Sequence, residues 1–108
     1  MVEDIWLELT NDKQKYIIGG IYRHPGQNIN PFTDGLEKTL DKIVKGASPC
    51  IMMGDLNINL MSYNSHVETT EYLDMVTIHG FLPVILMPTR ITSTSATLID
   101  HVYFYTVH

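Results

Sequence analysis

The sequence is poor in cysteine, in positive charge and in long apolar runs, and each shortage excludes something. With a single cysteine, Cys50, no disulfide can form within the chain, which is compatible with a reducing compartment. No stretch approaches the roughly 18 consecutive apolar residues that a membrane span requires. The first ten residues carry acidic groups where a secretory signal carries basic ones, so we expect a protein that is neither secreted nor held in a membrane.

Positive charge is scarce. The chain has seven Lys and Arg against twelve Asp and Glu, which gives a net charge of -5. Proteins bind nucleic acid largely through Lys and Arg at phosphates, so this balance disfavours a simple nucleic-acid-binding module. An acidic site that holds a metal cation is the exception, because the cation then meets the phosphate. The five histidines show no spacing typical of a zinc site.

What is present is an ordinary mixture for one small globular domain: 108 residues, 44% of them hydrophobic and 18% charged. Apolar alternation and β-branched residues predict strands over 5–9, 15–22, 50–53 and 98–105, with a turn at 11–13 between the first two. Helical periodicity predicts helices over about 31–45 and 66–79. Two helices and at least four strands, in the order β-β-α-β-α-β-β when the apolar segment 81–87 is included, indicate an α/β or α+β fold.

The helix boundaries are predicted from capping residues. In the first helix we expect Asn30 as the N-cap and Pro31 at the first helical position, with Gly46 as the stop. In the second, the segment from Ser65 to Glu68 fits a capping box, and Gly80 ends the helix. The side chains expected to face the core are Phe32, Leu36, Leu40, Ile43 and Val44 in the first helix and Tyr72, Leu73 and Val76 in the second, with Met75 as a further candidate.

The segment Gly54-Asp55-Leu56-Asn57 directly follows a short apolar strand. A carboxylate and a carboxamide two residues apart at the end of a buried strand can converge on one polar site. Aspartate suits a hard divalent cation or an attacking water, and asparagine adds a donor and an acceptor without charge. The alternative is an ordinary turn, because Gly, Asp and Asn are common turn formers.

The last predicted strand contains Asp100 and His101 in apolar surroundings. A carboxylate there can orient a histidine, or Asp100 can simply lie in solvent on an edge strand. Adjacent strand residues point to opposite faces, so these two are poor candidates for a dyad with each other. A third segment, Tyr22-Arg23-His24-Pro25, ends a strand; Tyr22 and Arg23 can reach a phosphate, and a surface turn is the alternative.

Taken in order, five segments resemble the endonuclease/exonuclease/phosphatase superfamily, and especially the endonuclease domain that precedes the reverse transcriptase of LINE-like (non-LTR) retrotransposons. They are GGIYRHPGQN, NPFTDGLEKTLDKIVKG, CIMMGDLNINL, LMPTRITSTSATLIDHVY and the helix between the last two. They cover nearly the whole chain. The resemblance implies a two-sheet β-sandwich flanked by helices, in four layers, and Mg²⁺-dependent cleavage of phosphoesters.

The resemblance also implies roles for single residues. Asp55 is similar to the aspartate that activates or positions the attacking water, and Asn57 to the asparagine that hydrogen-bonds the scissile phosphate. Asp100 resembles the aspartate that orients the catalytic histidine. The side chains then expected at or near the substrate are Tyr22, Arg23, Thr89, Arg90 and Ser95.

Two parts of the family pattern have no match in this chain. An Asn and a metal-binding Glu would precede Trp6, where Glu3 lacks their sequence context, so the metal ligand is left unassigned, with Asp55 expected beside the metal. A Ser-Asp-His motif would follow the strand of Asp100, and neither His101 nor His108 is assigned to it. We therefore expect residues 1–108 to form a partial domain.

The resulting hypothesis is metal-dependent phosphodiester hydrolysis of DNA by a retrotransposon-type endonuclease domain, incomplete as a catalyst in this chain. Mg²⁺ is the expected cofactor and DNA the expected substrate. A reverse transcriptase domain in the full-length polyprotein is the expected partner. The resemblance also implies that the protein acts in the nucleus or the cytoplasm. The alternatives are a non-catalytic remnant or interaction module, and a phosphatase of the same superfamily.

Overall fold

The computed structural model describes residues 3–85, 88–93 and 96–106. Two helices and seven strands confirm the predicted mixed α/β class. Their bounds are β1 (Glu3–Asn11), β2 (Gln14–Tyr22), α1 (Ile29–Gly46), β3 (Cys50–Asp55), α2 (Val67–Ile78), β4 (Leu82–Pro83), β5 (Arg90–Ile91), β6 (Ala96–Thr97) and β7 (Asp100–Tyr105), with a short 3-10 turn at Leu60–Ser62.

Five strands form one sheet in the order β1-β2-β3-β7-β4. Strands β2 and β3 are parallel, and α1 makes the crossover between them, as a parallel pair requires. The other pairs are antiparallel. The predicted hairpin is confirmed: Asp12 and Lys13 both have positive φ, which is the two-residue turn whose twist matches the flanking strands.

The core lies between one face of the sheet and the two helices. The predicted inward face of α1 is confirmed, with Phe32, Leu36 and Leu40 fully buried. In α2 the buried residues are Thr69, Tyr72, Met75 and Val76, and Leu73 is partly buried against them. Neither described helix is long and apolar enough to cross a membrane.

Two glycines allow unusually close approaches within this sheet. A Cβ on Gly19 would lie 2.3 Å from the indole ring of Trp6, and one on Gly54 would lie 1.7 Å from the carbonyl oxygen of Ile21. The strand register is continuous at Gly19 and Gly20. Gly19 therefore permits the close approach of the Trp6 ring, and β2 has no bulge at this point.

Several predicted boundaries are wrong. Helix α1 begins at Ile29 with Asn28 as N-cap, so Pro31 is the third helical residue, where its missing N–H still leaves no helical hydrogen bond unmade. The capping box of α2 is wrong: His66 is the N-cap and makes no side-chain capping bond. Gly46 is the last helical residue, and Ala47 adopts the left-handed conformation instead.

The second face of the sheet is largely uncovered by the described residues. Because side chains alternate along strands, partners in register place one apolar set on this side. We call it the open face, defined by the exposed side chains Ile5, Leu7, Leu9, Tyr16, Tyr22, Ile51, Met53, Leu82 and Phe104.

Candidate active site

Three of the predicted site residues lie side by side on the open face. Tyr22 of β2 is the register partner of Asp55 of β3, and Asp55 is the partner of Asp100 of β7. Register partners in neighbouring strands lie about 5 Å apart at Cα. The sheet thus brings together residues that are 78 positions apart in the chain, from Tyr22 to Asp100.

The row continues onto β1 with a residue that sequence reasoning set aside. Glu3 is the register partner of Tyr22. Its Oε1 lies 3.2 Å from Nε2 of His24, whose ring stands edge-on to Tyr22 at 4.8 Å between centroids. The sequence feature that could have predicted this position is the turn at Asp12 and Lys13, because it fixes the register of the hairpin. We call Glu3, Tyr22, Asp55 and Asp100 the acidic row.

Asp55 is the least exposed acid of the row. One of its carboxylate oxygens, Oδ1, is buried and has no hydrogen-bond partner among the described residues. Asp100, directly opposite, is exposed. Like charges directly opposite each other destabilise a sheet. An unpaired carboxylate oxygen beside a second acid is therefore an arrangement that a cation would stabilise.

Asn57 and Arg23 form a reciprocal clamp next to Asp55. The Asn57 side-chain amide donates to the Arg23 carbonyl oxygen at 2.7 Å. The Arg23 guanidinium donates back, from Nε to the Leu56 carbonyl at 2.7 Å and from Nη2 to the Asn57 carbonyl at 2.6 Å, and its Nη1 bonds the Gln27 carbonyl. Asn57 itself is in the left-handed region, with φ 51°.

This clamp bears on two predictions. Arg23 is 3% exposed and its pKa is lowered by burial, so it is a buried organiser of the loop after β3. Its predicted contact with substrate stays a prediction, and the structure instead shows its guanidinium bonded to backbone carbonyls. Asn57 retains one amide hydrogen beyond the one donated to Arg23, because a carboxamide carries two.

Asp100 is held in place through its backbone. The Oγ1 of Thr89 accepts from the amides of Ile99 and Asp100 at 3.3 and 3.2 Å. Thr89 therefore lies near Asp100, as expected from the resemblance. Arg90 follows it on the β5–β6 hairpin and is exposed. Ser95, predicted to contact substrate, lies outside the described residues, as does His108.

His101 points into the core, opposite to Asp100, as strand alternation predicts. It is 2% exposed. Its Nε2 donates to the Ile58 carbonyl at 2.8 Å, so Nδ1 accepts from one tyrosine hydroxyl. The hydroxyls of Tyr103 and Tyr72 lie 2.9 and 3.2 Å from Nδ1 and 2.9 Å from each other. Desolvation lowers the pKa of His101, while its backbone hydrogen bonds oppose the shift only in part. The neutral imidazole anchors the loop that follows Asn57.

The fit of the site to Mg²⁺ depends on the acidic row. Among the described residues no group of three or more His, Cys, Asp or Glu is arranged to hold a metal ion. Mg²⁺, however, commonly takes only one or two carboxylates, with waters and substrate phosphates completing its octahedron. The unpaired Asp55 Oδ1 meets that lesser requirement, and Asp100 and Glu3 are the further carboxylates of the row.

Comparison with solved structures shows that other proteins share the fold of this chain. The TRAS1 endonuclease domain, from a telomere-specific non-LTR retrotransposon, superposes with a TM-score of 0.71 at 14% identity over 95% of this chain. An endonuclease/exonuclease/phosphatase family protein of Bacteroides thetaiotaomicron gives 0.62 at 12% identity over 96% of it. The chain has the endonuclease/exonuclease/phosphatase fold. The fold that the sequence resemblance implies is therefore confirmed.

The same fold carries different activities. A mannosyl-6-phosphatase of Bacteroides thetaiotaomicron gives a TM-score of 0.58 at 13% identity over 87% of this chain. The chain spans 50%, 41% and 38% of the TRAS1, family-protein and phosphatase structures. No family model matches the sequence, and no curated protein does.

Proposed function

We propose that the acidic row is part of a metal-dependent site for phosphodiester hydrolysis and that its substrate is DNA. The observation that carries the proposal is the convergence of Tyr22, Asp55 and Asp100 on one face, with Asp55 Oδ1 unpaired. The fold likeness to a retrotransposon endonuclease domain favours DNA over other phosphodiesters.

Each residue has a role that its position permits. Asp55, at the centre of the row, accepts a hydrogen bond from the attacking water. The free amide hydrogen of Asn57 and the hydroxyl of Tyr22 donate to phosphate oxygens, and exposed Asp100 is available to accept the N–H of a histidine. A bound Mg²⁺, held by Asp55 with a further carboxylate of the row, would stabilise the charge that develops on the phosphate.

The test is nicking of supercoiled plasmid by the purified chain in Mg²⁺ and in EDTA. Because the metal ligand and the catalytic histidine of the family pattern are unassigned in this chain, we expect nicking to be slow, to require Mg²⁺ and to be roughly 100-fold slower still for Asp55→Asn, since removal of one general-base or water-positioning group commonly lowers a rate by that order. The matched control is Asp34→Asn, which removes an exposed carboxylate of α1 and should change nothing. Nicking that survives Asp55→Asn would overturn the assignment.

Assays on the same purified protein distinguish the proposed nuclease from two other functions. A phosphatase of this fold would hydrolyse a phosphomonoester such as p-nitrophenyl phosphate and leave the plasmid intact, and the likeness to a phosphatase makes this arm necessary. A non-catalytic interaction module would do neither while showing a folded circular dichroism spectrum. The observations that favour the latter are the engagement of Asn57 with Arg23 and the exposed apolar surface of the open face.

A further inference from the structure

A histidine at the end of α2 joins the two helices. His79 is the C-cap of α2. Its Nε2 lies 2.7 Å from Oδ1 of Asp41 and 3.8 Å from Oε2 of Glu37, which are both on α1. Its Nδ1 lies 2.7 Å from the carbonyl oxygen of Met75, one turn back in its own helix. The His79 side chain is 12% exposed, whereas the two carboxylates are about half exposed, so the imidazole is held inside this contact.

Both ring nitrogens of His79 face oxygens that only accept hydrogen bonds. A backbone carbonyl has no hydrogen to donate, and neither has an ionised carboxylate. A neutral imidazole carries one N–H, so it can donate to one of these oxygens and must turn a lone pair towards the other at 2.7 Å. The imidazolium carries two N–H groups and donates to both oxygens. The observed geometry is therefore that of the protonated ring, and the negative end of the α2 dipole favours the same state.

We propose that His79 is a proton-dependent clamp between α1 and α2, closed when the ring is protonated and open when it is neutral. On loss of the proton, one of the two hydrogen bonds must break. The Met75 carbonyl belongs to the helix backbone and cannot turn away without unwinding the last turn, whereas the Asp41 side chain can rotate into solvent. The bond that breaks is therefore the one between the helices. The opening is confined to this corner, because Phe81, two positions on, is fully buried and stacks on Tyr105.

Two acidic side chains of α1 depend on the clamp for a counter-charge. Glu37 and Asp41 are four residues apart on α1, where like charges destabilise a helix. Among the described residues no Lys or Arg forms an ion pair with either carboxylate, and His79 contacts both. On the sheet side, the ring of Tyr105 in β7 lies against Gly80. The imidazolium thus compensates two negative charges that a neutral ring would leave to repel each other.

The direction of the pKa shift determines the pH at which the clamp opens. Desolvation lowers the pKa of His79. Its hydrogen bonds to the Met75 carbonyl and to Asp41 raise the pKa, as do the negative charges of Asp41 and Glu37, and the net shift is upward from 6.5. With a raised pKa, the stabilisation by the clamp is complete below pH 6.5 and is lost as the pH rises through the pKa of the folded protein.

Urea unfolding of the whole chain in EDTA, at pH 5.5 and at pH 8.5, tests the proposal with the variant Asp41→Asn. This variant keeps a side-chain oxygen as acceptor but removes the charge. We expect it to raise the unfolding equilibrium constant roughly fivefold at pH 5.5, since a half-exposed ion pair contributes modestly. At pH 8.5 we expect no increase, because only the repulsion from Glu37 is removed. The other histidines titrate alike in both chains, so the difference isolates His79.

The matched control is Asp34→Asn, which removes an exposed carboxylate of the same helix that forms no ion pair among the described residues, and it should change neither value. Nitrogen-15 NMR of the imidazole rings gives a second readout. We expect the His79 ring, assigned by its absence in His79→Gln, to carry two protons at pH 5.5 and to titrate above 6.5 in the wild type but at a lower pH in Asp41→Asn. A wild-type ring that titrates at or below 6.5 overturns the clamp. So does an effect of Asp41→Asn that is equal at both pH values, or that Asp34→Asn reproduces.

Discussion

At the scale of single residues, Asp100 and His101 divide two tasks between adjacent positions. Asp100 faces the open side of the sheet beside Asp55, and His101 faces the core. The neutral imidazole is favoured because it donates one hydrogen bond to the Ile58 carbonyl and accepts from a tyrosine hydroxyl within a buried site. Protonating the ring would bury a charge and leave the tyrosine hydroxyl that donates to Nδ1 without its acceptor, which is costly.

This environment predicts how the stability depends on pH. The pKa of His101 is lowered from its ordinary 6.5, mainly by desolvation, so the folded protein binds its proton less readily than the unfolded chain. The contribution to stability is therefore complete above pH 6.5 and falls as the pH drops below it. Between pH 7 and pH 5 we expect the loss to be on the order of 1 kcal/mol.

Urea unfolding of the wild type and of His101→Gln at both pH values measures this effect. The glutamine amide can donate and accept like the neutral imidazole but does not titrate. The variant is needed as a comparison because His79 also titrates, with a pKa shift in the opposite direction. Desolvation lowers the pKa of His79, but its hydrogen bonds to the Met75 carbonyl and to Asp41 outweigh that effect, so the net shift is upward. An equal pH dependence in both proteins would contradict the assignment to His101.

At the scale of elements, the contact between β2 and β3 depends on a missing side chain. A Cβ at Gly54 would overlap the Ile21 carbonyl, whereas one at Gly20 would meet nothing. We expect Gly54→Ala to lower the free energy of unfolding by about 3 kcal/mol, because backbone must move. Gly20→Ala should change it by less than about 1 kcal/mol. Chemical denaturation of both variants tests this, and equal effects would refute it.

The end of α1 is a second case in which one position decides the outcome. Gly46 is helical, where glycine is unfavourable, and Ala47 is left-handed, with φ 55°, where glycine is favoured. Exchanging the two residues, as Gly46→Ala with Ala47→Gly, should raise the stability by about 1–2 kcal/mol. Thermal unfolding of the double variant and of each single variant tests this. A lower midpoint for the exchange would show that the helix does not end at Gly46.

At the scale of the whole molecule, the sequence predicted the elements that have strong periodicity. Strands β1 and β2, the turn between them and the inward face of α1 follow from residue patterns alone. The opposite faces of Asp100 and His101 follow from alternation. These features depend on residues that are close in the chain, so they can be predicted from local sequence patterns.

Other features depend on contacts between distant segments, and the sequence did not reveal them. The burial of Arg23 against the loop at Leu56 and Asn57 is one, because 34 positions separate it from Asn57. The place of Glu3 in the acidic row is another, because the hairpin register pairs Glu3 only with Tyr22, and the pairing of Tyr22 with Asp55 joins distant segments. The β5–β6 hairpin has only two residues in each strand, too few to give a periodic signal.

The net charge of -5 is consistent with the site proposed for this molecule. An acidic surface would repel DNA, so productive contact would have to be made where a bound cation reverses the sign of the local charge. Under the proposed function, a bound metal would therefore serve substrate recognition as well as chemistry.

The alternation of Asp100 and His101 has a consequence for how such genes can change. A substitution in β7 alters one position and leaves its neighbours where they were. Loss of the single codon for Ile99, just before β7, would instead exchange the two faces, because one residue of slip inverts every following side chain. It would bury the carboxylate and expose the imidazole in one event. Folded relatives of this chain should therefore differ by substitutions in β7 far more readily than by single-codon insertions or deletions at its start.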